Sequence, residues 1–115
     1  MTLGEQQRLF VKLIGQLIDW AYSSGYELTF GDAFRSPAQA AANAANGTGI
    51  KNSLHTQRLA IDMNLFIAGA YQSSSEAYKP LGDYWKTLHP LACWGGDFIS
   101  RPDGNHFSLT YNGVK

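Results

Sequence analysis

One cysteine, Cys93, among 115 residues leaves no partner for an intramolecular disulfide. The fold must therefore rest on its core, and the chain fits a reducing compartment. An excess of one charge is also missing, because nine basic and nine acidic residues cancel. General attraction to nucleic acid or to an anionic membrane is excluded on that basis. Long apolar runs are absent as well. In MTLGEQQRLFVKLIGQLIDWAYSS the apolar residues are interrupted by Glu5, Arg8, Lys12 and Asp19, and no small-residue cleavage site follows. That segment is read as neither a signal peptide nor a membrane span. Internal repeats and interdomain linkers are missing too. Residues 1–115 are expected to form a single domain, with a hydrophobic content of 44% supplying one modest core.

What is present reads as alternating helices and strands. Leu9, Phe10, Leu13, Ile14, Leu17, Ile18 and Ala21 recur at three- and four-residue steps, with Thr2-x-x-Glu5 as a capping box and Gly25 as a stop. The mixed charges on its polar face favour packing on a core over membrane activity. A strand carrying Tyr26, Leu28 and Phe30 leads to Asp32 and Arg35. Ser36-Pro37 then opens a second helix, Gln39 completes its box, and the alanine run ends at Asn46-Gly47. The turn-rich GTGIKNS is expected to deliver Ser53 and His55. After the strand LAIDMNLF, FIAGAY turns a hairpin, and a third helix with Pro80 near its start presents Leu81, Tyr84, Trp85 and Leu88 before Pro90 ends it. The order implies an α+β fold.

Two of the three histidines stand in a suggestive pattern: Ser53, His55 and Asp62 in NSLHTQRLAID, then Asp103 and His106 in RPDGNHF. Two imidazoles and a carboxylate make a three-ligand zinc centre with an open fourth position, and a further carboxylate beside the last ligand can take a proton. Strand alternation sends Leu59, Ile61, Met63 and Leu65 to the core and Ala60, Asp62 and Asn64 to the other face. The same rule sends Phe107, Leu109 and Tyr111 inward and leaves His106, Ser108 and Thr110 on the opposite face. One open face of an antiparallel sheet can thus hold both ligands. His55 lies an odd seven residues before Asp62, so a turn or bulge around Thr56 to Arg58 is required.

Other chemistries fit less well. Cys93 with His89 as a thiol hydrolase is opposed by the intervening Pro90, and Cys93 reads instead as a small buried hydrophobe. No nucleophile elbow surrounds Ser53. His89 reads as a helix cap. Asp97 in WGGD reads as a turn residue in preference to a second catalytic carboxylate. Pro-Asp-Gly-Asn is itself a turn sequence, so the residues alone leave Asp103 open between turn and base.

With these residues in view, the chain resembles the VanY-like D-alanyl-D-alanine metallopeptidases and their phage endolysin relatives. Their S-x-H-x6-D and later carboxylate-x-x-H stand here as Ser53, His55, Asp62, Asp103 and His106. FRSPAQ around Arg35 resembles the family's upstream arginine motif, and WGGDF, Trp94 to Phe98, resembles the segment before the last ligand in the endolysin-like branch. The resemblance implies zinc ligands at His55, Asp62 and His106, a base at Asp103, a transition-state or substrate-carboxylate contact at Arg35, and a substrate or supporting contact at Ser53. Many members have Gly where this chain has Arg58, so Arg58 is expected to adopt a different backbone conformation or a bulge.

The implied fold is a small single domain, hedgehog or D-Ala-D-Ala peptidase-like, with about three helices flanking an antiparallel sheet and no separate cell-wall-binding domain. The implied function is zinc-dependent hydrolysis of a bond in the peptidoglycan stem peptide, by an L-alanyl-D-glutamate endopeptidase or a D-Ala-D-Ala carboxypeptidase. A noncatalytic cell-wall-binding or phage structural component is the alternative. The expected partner is bacterial peptidoglycan, with neither nucleic acid nor membrane, and the chain is expected to be a monomer. The missing export signal fits a lysin of phage or prophage type that accumulates in the host cytoplasm and acts at the cell wall.

Overall fold

The computed structural model describes residues 1–47 and 53–115, so most of the stretch expected to deliver Ser53 and His55 lies outside the described residues. Helix α1 spans Leu3–Ser23 behind the capping box of Thr2 and Glu5 and buries Phe10, Leu13, Ile14, Leu17 and Ala21. Its buried Gln6 is satisfied by donating to the Thr110 carbonyl at 3.0 Å. The helix is capped at Ser24, just before Gly25, whose φ of 88° suits the reversal.

Strand β1, Glu27–Phe30, pairs antiparallel with β2, Ala60–Ile67. Between them α2 spans Pro37–Ala45, with Ser36 Oγ accepting from Gln39 N–H. The expected capping box is only half made there. Gln39 Nε2 donates to Asn43 Oδ1 at 2.6 Å, because a partner four residues ahead lies on the same helix face. Strand β2 continues through a two-residue turn into β3, Ala70–Tyr71, and then α3 spans Lys79–Leu88. A short 3₁₀ turn at Ser75–Tyr78 precedes α3, and Pro90 lies beyond its end. Strands β4, Ala92–Trp94, and β5, His106–Leu109, complete an antiparallel sheet in the order β1-β2-β5-β4, with β3 beside β2.

Alternation along β2 decides what each face does. Leu59, Met63 and Leu65 are fully buried and Ile61 nearly so, together with Phe107 and Leu109 from β5. Each such side chain contributes roughly 1.5–3 kcal/mol on burial, which fixes the register against a one-residue slip. Helices α1 and α3 cover this face, with Phe10 edge-on to Trp85 at 5.8 Å and Trp20 stacked on Tyr84 at 4.6 Å. Trp85 Nε1–H donates to the carbonyls of both Cys93 and Ser108, tying α3 across β4 and β5. The opposite face carries Asp62 and His106. Among the described residues no helix is long and apolar enough to cross a membrane.

Candidate metal centre

Asp62 and His106 are register partners between β2 and β5. Backbone bonds run from Met63 N–H to the Asn105 carbonyl and from Leu109 N–H to the Leu59 carbonyl. By alternation the Asp62·His106 pair is a non-hydrogen-bonded one, where facing side chains stand closest. His55 arrives by another route. A 3₁₀ turn, Leu54–Gln57, is capped by Ser53 Oγ, which accepts from His55 N–H at 3.2 Å, and it resolves the odd spacing as the sequence required. Gln7 Nε2 on α1 holds the end of that turn through the Gln57 carbonyl at 2.8 Å.

The expectation for Arg58 fails. It adopts the left-handed conformation that glycine would use, with φ 56° and ψ 35°. The turn must reverse there so that Leu59 N–H can reach the Leu54 carbonyl at 3.1 Å. The Arg58 guanidinium also lies 4.0 Å from the centroid of the Phe34 ring, a contact that offsets part of the backbone strain.

The three side chains converge on one point. Asp62 Oδ1 stands 3.4 Å from His55 Nε2 and 3.4 Å from His106 Nδ1. His55 Nδ1–H donates to the Ala33 carbonyl at 2.8 Å, so a neutral His55 aims the lone pair of Nε2 at the carboxylate. Asp62 Oδ1 is buried and has no hydrogen-bond partner among the described residues. Facing lone pairs repel unless a cation lies between them. Ligand atoms about 2.0–2.1 Å from a tetrahedral ion are about 3.3–3.4 Å apart; both carboxylate–imidazole separations match this and all three ligand atoms lie within 4.8 Å of one another, so the residues fit a divalent metal. The titration behaviour has the same cause. Burial alone would lower the pKa of His55, but the adjacent Asp62 carboxylate and the bond to the Ala33 carbonyl raise it above the ordinary value. For Asp62 burial pushes upward, yet His106 and His55 prevail and hold the carboxyl at about 2.

A cleft of about 430 Å³ opens over this point, walled by Arg35, Ser53, Phe98, Arg101, Asp103 and Lys115 among others. Gly31 N–H and the Asp32 carbonyl both bond Asp62, a two-against-one pairing that swings the chain from β1 across the site. Arg35 N–H then bonds the His55 carbonyl at 3.1 Å, while its Nη2 reaches Asp32 Oδ2 at 3.1 Å and its buried Nε has no partner among the described residues. Asp103 stands in a turn and also lines the cleft. Its carbonyl accepts from His106 N–H in a turn, and its carboxyl stands on the cleft wall. Partial burial, and then the Asp62 carboxylate, raise that carboxyl above its ordinary value.

Asp97, His89 and Cys93 do not line the cleft. Asp97 forms an ion pair with Lys86 at 2.8 Å, joining a 3₁₀ turn to α3. His89 Nδ1 accepts from Leu91 N–H at 3.1 Å, so its ring caps the turn beyond α3. Cys93 is half-buried, and desolvation raises its thiol pKa.

Residues that sequence reasoning missed are mostly backbone partners. The Ala33 carbonyl that orients His55 belongs to a residue type with no signal. Gly95 has one, in the Gly-Gly pair: a Cβ there would collide with the Asp103 carbonyl and stand 2.7 Å from His106 Cβ. Trp94 Nε1–H fixes the same turn through the Gly104 carbonyl at 2.7 Å.

No protein of curated function matches the chain. The fold is that of the crystal structure of Serratia marcescens L-Ala D-Glu endopeptidase ChiX, with a TM-score of 0.75 and 21% identity over 93% of this chain and 85% of that one. The family model described as D-alanyl-D-alanine carboxypeptidase matches residues 46–109, more than half of the sequence and the whole span from Ser53 to His106. On that match, and with the fold and the clustered residues in agreement, the chain belongs to the VanY-like D-alanyl-D-alanine carboxypeptidase family of peptidases.

Proposed function

We propose that this chain hydrolyses a peptide bond in the stem peptide of bacterial peptidoglycan with the aid of zinc, using His55, Asp62 and His106 as ligands and Asp103 as general base. The observation that carries this reading is the buried, unpartnered Asp62 Oδ1 facing two imidazole nitrogens at 3.4 Å, with a second carboxylate on the wall of the same cleft. Two nitrogens and one carboxylate oxygen suit zinc and leave a coordination position open, as catalytic sites require. Bound zinc supplies a Lewis acid that polarises a carbonyl and makes water more acidic.

The protein's own groups supply the rest. Asp103, with its carboxyl pKa raised by desolvation, takes a proton from the attacking water and returns it to the departing amine nitrogen. Arg35 is held by its backbone bond to the His55 turn and by Asp32, and it brings positive charge to the oxyanion or a substrate carboxylate. Ser53 orients His55 by capping its turn, which leaves its hydroxyl proton for a substrate acceptor. Phe98, whose ring lies 5.6 Å from that of His106, shields one side of the centre from water.

The carboxypeptidase family match and the fold shared with an L-Ala D-Glu endopeptidase support a cell-wall peptide as substrate. Purified peptidoglycan incubated with the protein, with and without a chelator, tests the reading. Release of fragments that stops on chelation and resumes with zinc is expected, and their masses distinguish cleavage at L-Ala–D-Glu from cleavage at D-Ala–D-Ala. Binding without release would make the chain a cell-wall-binding component instead.

A further inference from the structure

Two cations on the cleft wall have no role in the chemistry above. Lys115 reaches the cleft because Asn112 and Gly113, with φ of 49° and 77°, form a tight reversal closed by the Tyr111·Val114 bridge. Tyr111 and Val114 pack on the core side. Continuing that pairing sets Lys115 opposite Thr110, on the face that β5 shares with His106 and Ser108. Arg101 comes from the loop before β5, two residues from Asp103, and its charge acts on that carboxyl. Both line the cleft.

Their state differs from that of most other cations. Lys79 and Lys86 pair with Asp83 and Asp97, Arg35 pairs with Asp32, and Arg58 covers Phe34. Arg101 and Lys115 have no salt bridge among the described residues. In a chain of zero net charge, two unpaired cations beside the catalytic carboxylate make a local positive rim.

We infer that Arg101 and Lys115 recognise free carboxylates flanking the scissile bond, which makes the cleft selective for acidic stem peptides over the same peptides with those groups amidated. The inference rests on the peptidase reading and deepens it. A carboxamide has nearly the shape of a carboxylate, but it offers the two cations no negative charge and turns N–H donors toward groups that only donate. A partly screened pair at a cleft rim gives about a tenfold preference.

The test uses two synthetic stem peptides of identical sequence, one with free side carboxylates and one with carboxamides, and the zinc-loaded protein. The acidic peptide should have a kcat/KM about tenfold higher, mainly through KM, and added salt should shrink the difference. Arg101→Gln with Lys115→Gln should bring the ratio to about one, while Lys115→Arg should retain it. Equal kcat/KM for the two peptides in the parental protein, or a preference that survives the double substitution, overturns the inference. Binding of both peptides to the Asp103→Asn protein, read by NMR titration, is measured alongside. If neither peptide is cleaved, the peptidase reading falls on its own, and tighter binding of the acidic peptide that the double substitution removes still supports the rim. Equal binding refutes it.

Discussion

Asp103 offers the sharpest residue-level test, because an amide in its place keeps size and much of the hydrogen bonding but cannot accept a proton. Asp103→Asn is expected to lower turnover on the order of 10²-fold or more while zinc content, measured by elemental analysis, stays near one per chain. Zinc lost together with activity would make Asp103 a ligand. His106→Ala should behave in the opposite manner and lose the metal first, since it removes one of the three ligand side chains His55, Asp62 and His106. If it keeps full stoichiometry, the ligand set is wrong. Asp62 and His106 could be placed from sequence because strand alternation is a strict period-two rule. The Ala33 carbonyl that orients His55 could not, since every residue carries a carbonyl.

At the scale of elements, tight reversals set the path of the chain, and two of them depart from the residue preferred there. Ala68 sits at φ 51° in the β2–β3 turn, before Gly69 at 79°. A two-residue turn with both φ positive matches the twist of its strands, but alanine is strained in it. Ala68→Gly is therefore expected to stabilise the protein by about 0.5–1 kcal/mol, seen as a higher denaturation midpoint. A lower midpoint would show that chain entropy outweighs strain. Gly95→Ala should act the other way, because the added methyl must push the Asp103 turn and His106 apart. A loss of about 1–3 kcal/mol and weaker zinc binding are expected, measured by denaturation and by metal titration. Arg58 shows why such turns resist sequence reading: its left-handed conformation is set by the need for Leu59 N–H to reach the Leu54 carbonyl, a demand of the whole segment.

For the molecule as a whole, the same cluster couples stability to pH. Asp62 has a folded pKa of about 2 against an ordinary 3.8, so its contribution is present above pH 3.8 and is lost as pH falls toward about 2. The shift corresponds to about 2 kcal/mol. His55 has a raised folded pKa, so its share is present below 6.5 and is lost as pH rises through the folded value. Both describe one shared interaction. Metal-free protein should be most stable between about pH 4 and 6.5 and weaken on either side. Zinc should abolish the alkaline loss, because the ion takes the place of the proton between His55 and Asp62. Denaturation midpoints across pH, with chelator and with zinc, read both limbs. A flat alkaline limb without metal would remove the assigned coupling.

By itself the sequence determined the α1 stripe with its capping box, the period-two alternation of β2 and β5, and the side of each strand on which Asp62 and His106 stand. Those depend on local propensity and fixed side-chain periods. Only the tertiary structure decided the rest. That Asp97 turns to Lys86, that Gly31 and Asp32 share Asp62, and that Arg101 and Lys115 reach one cleft all depend on where distant segments meet. Such meetings are set by packing the core and closing turns across the sheet, and no periodic pattern along the chain encodes them.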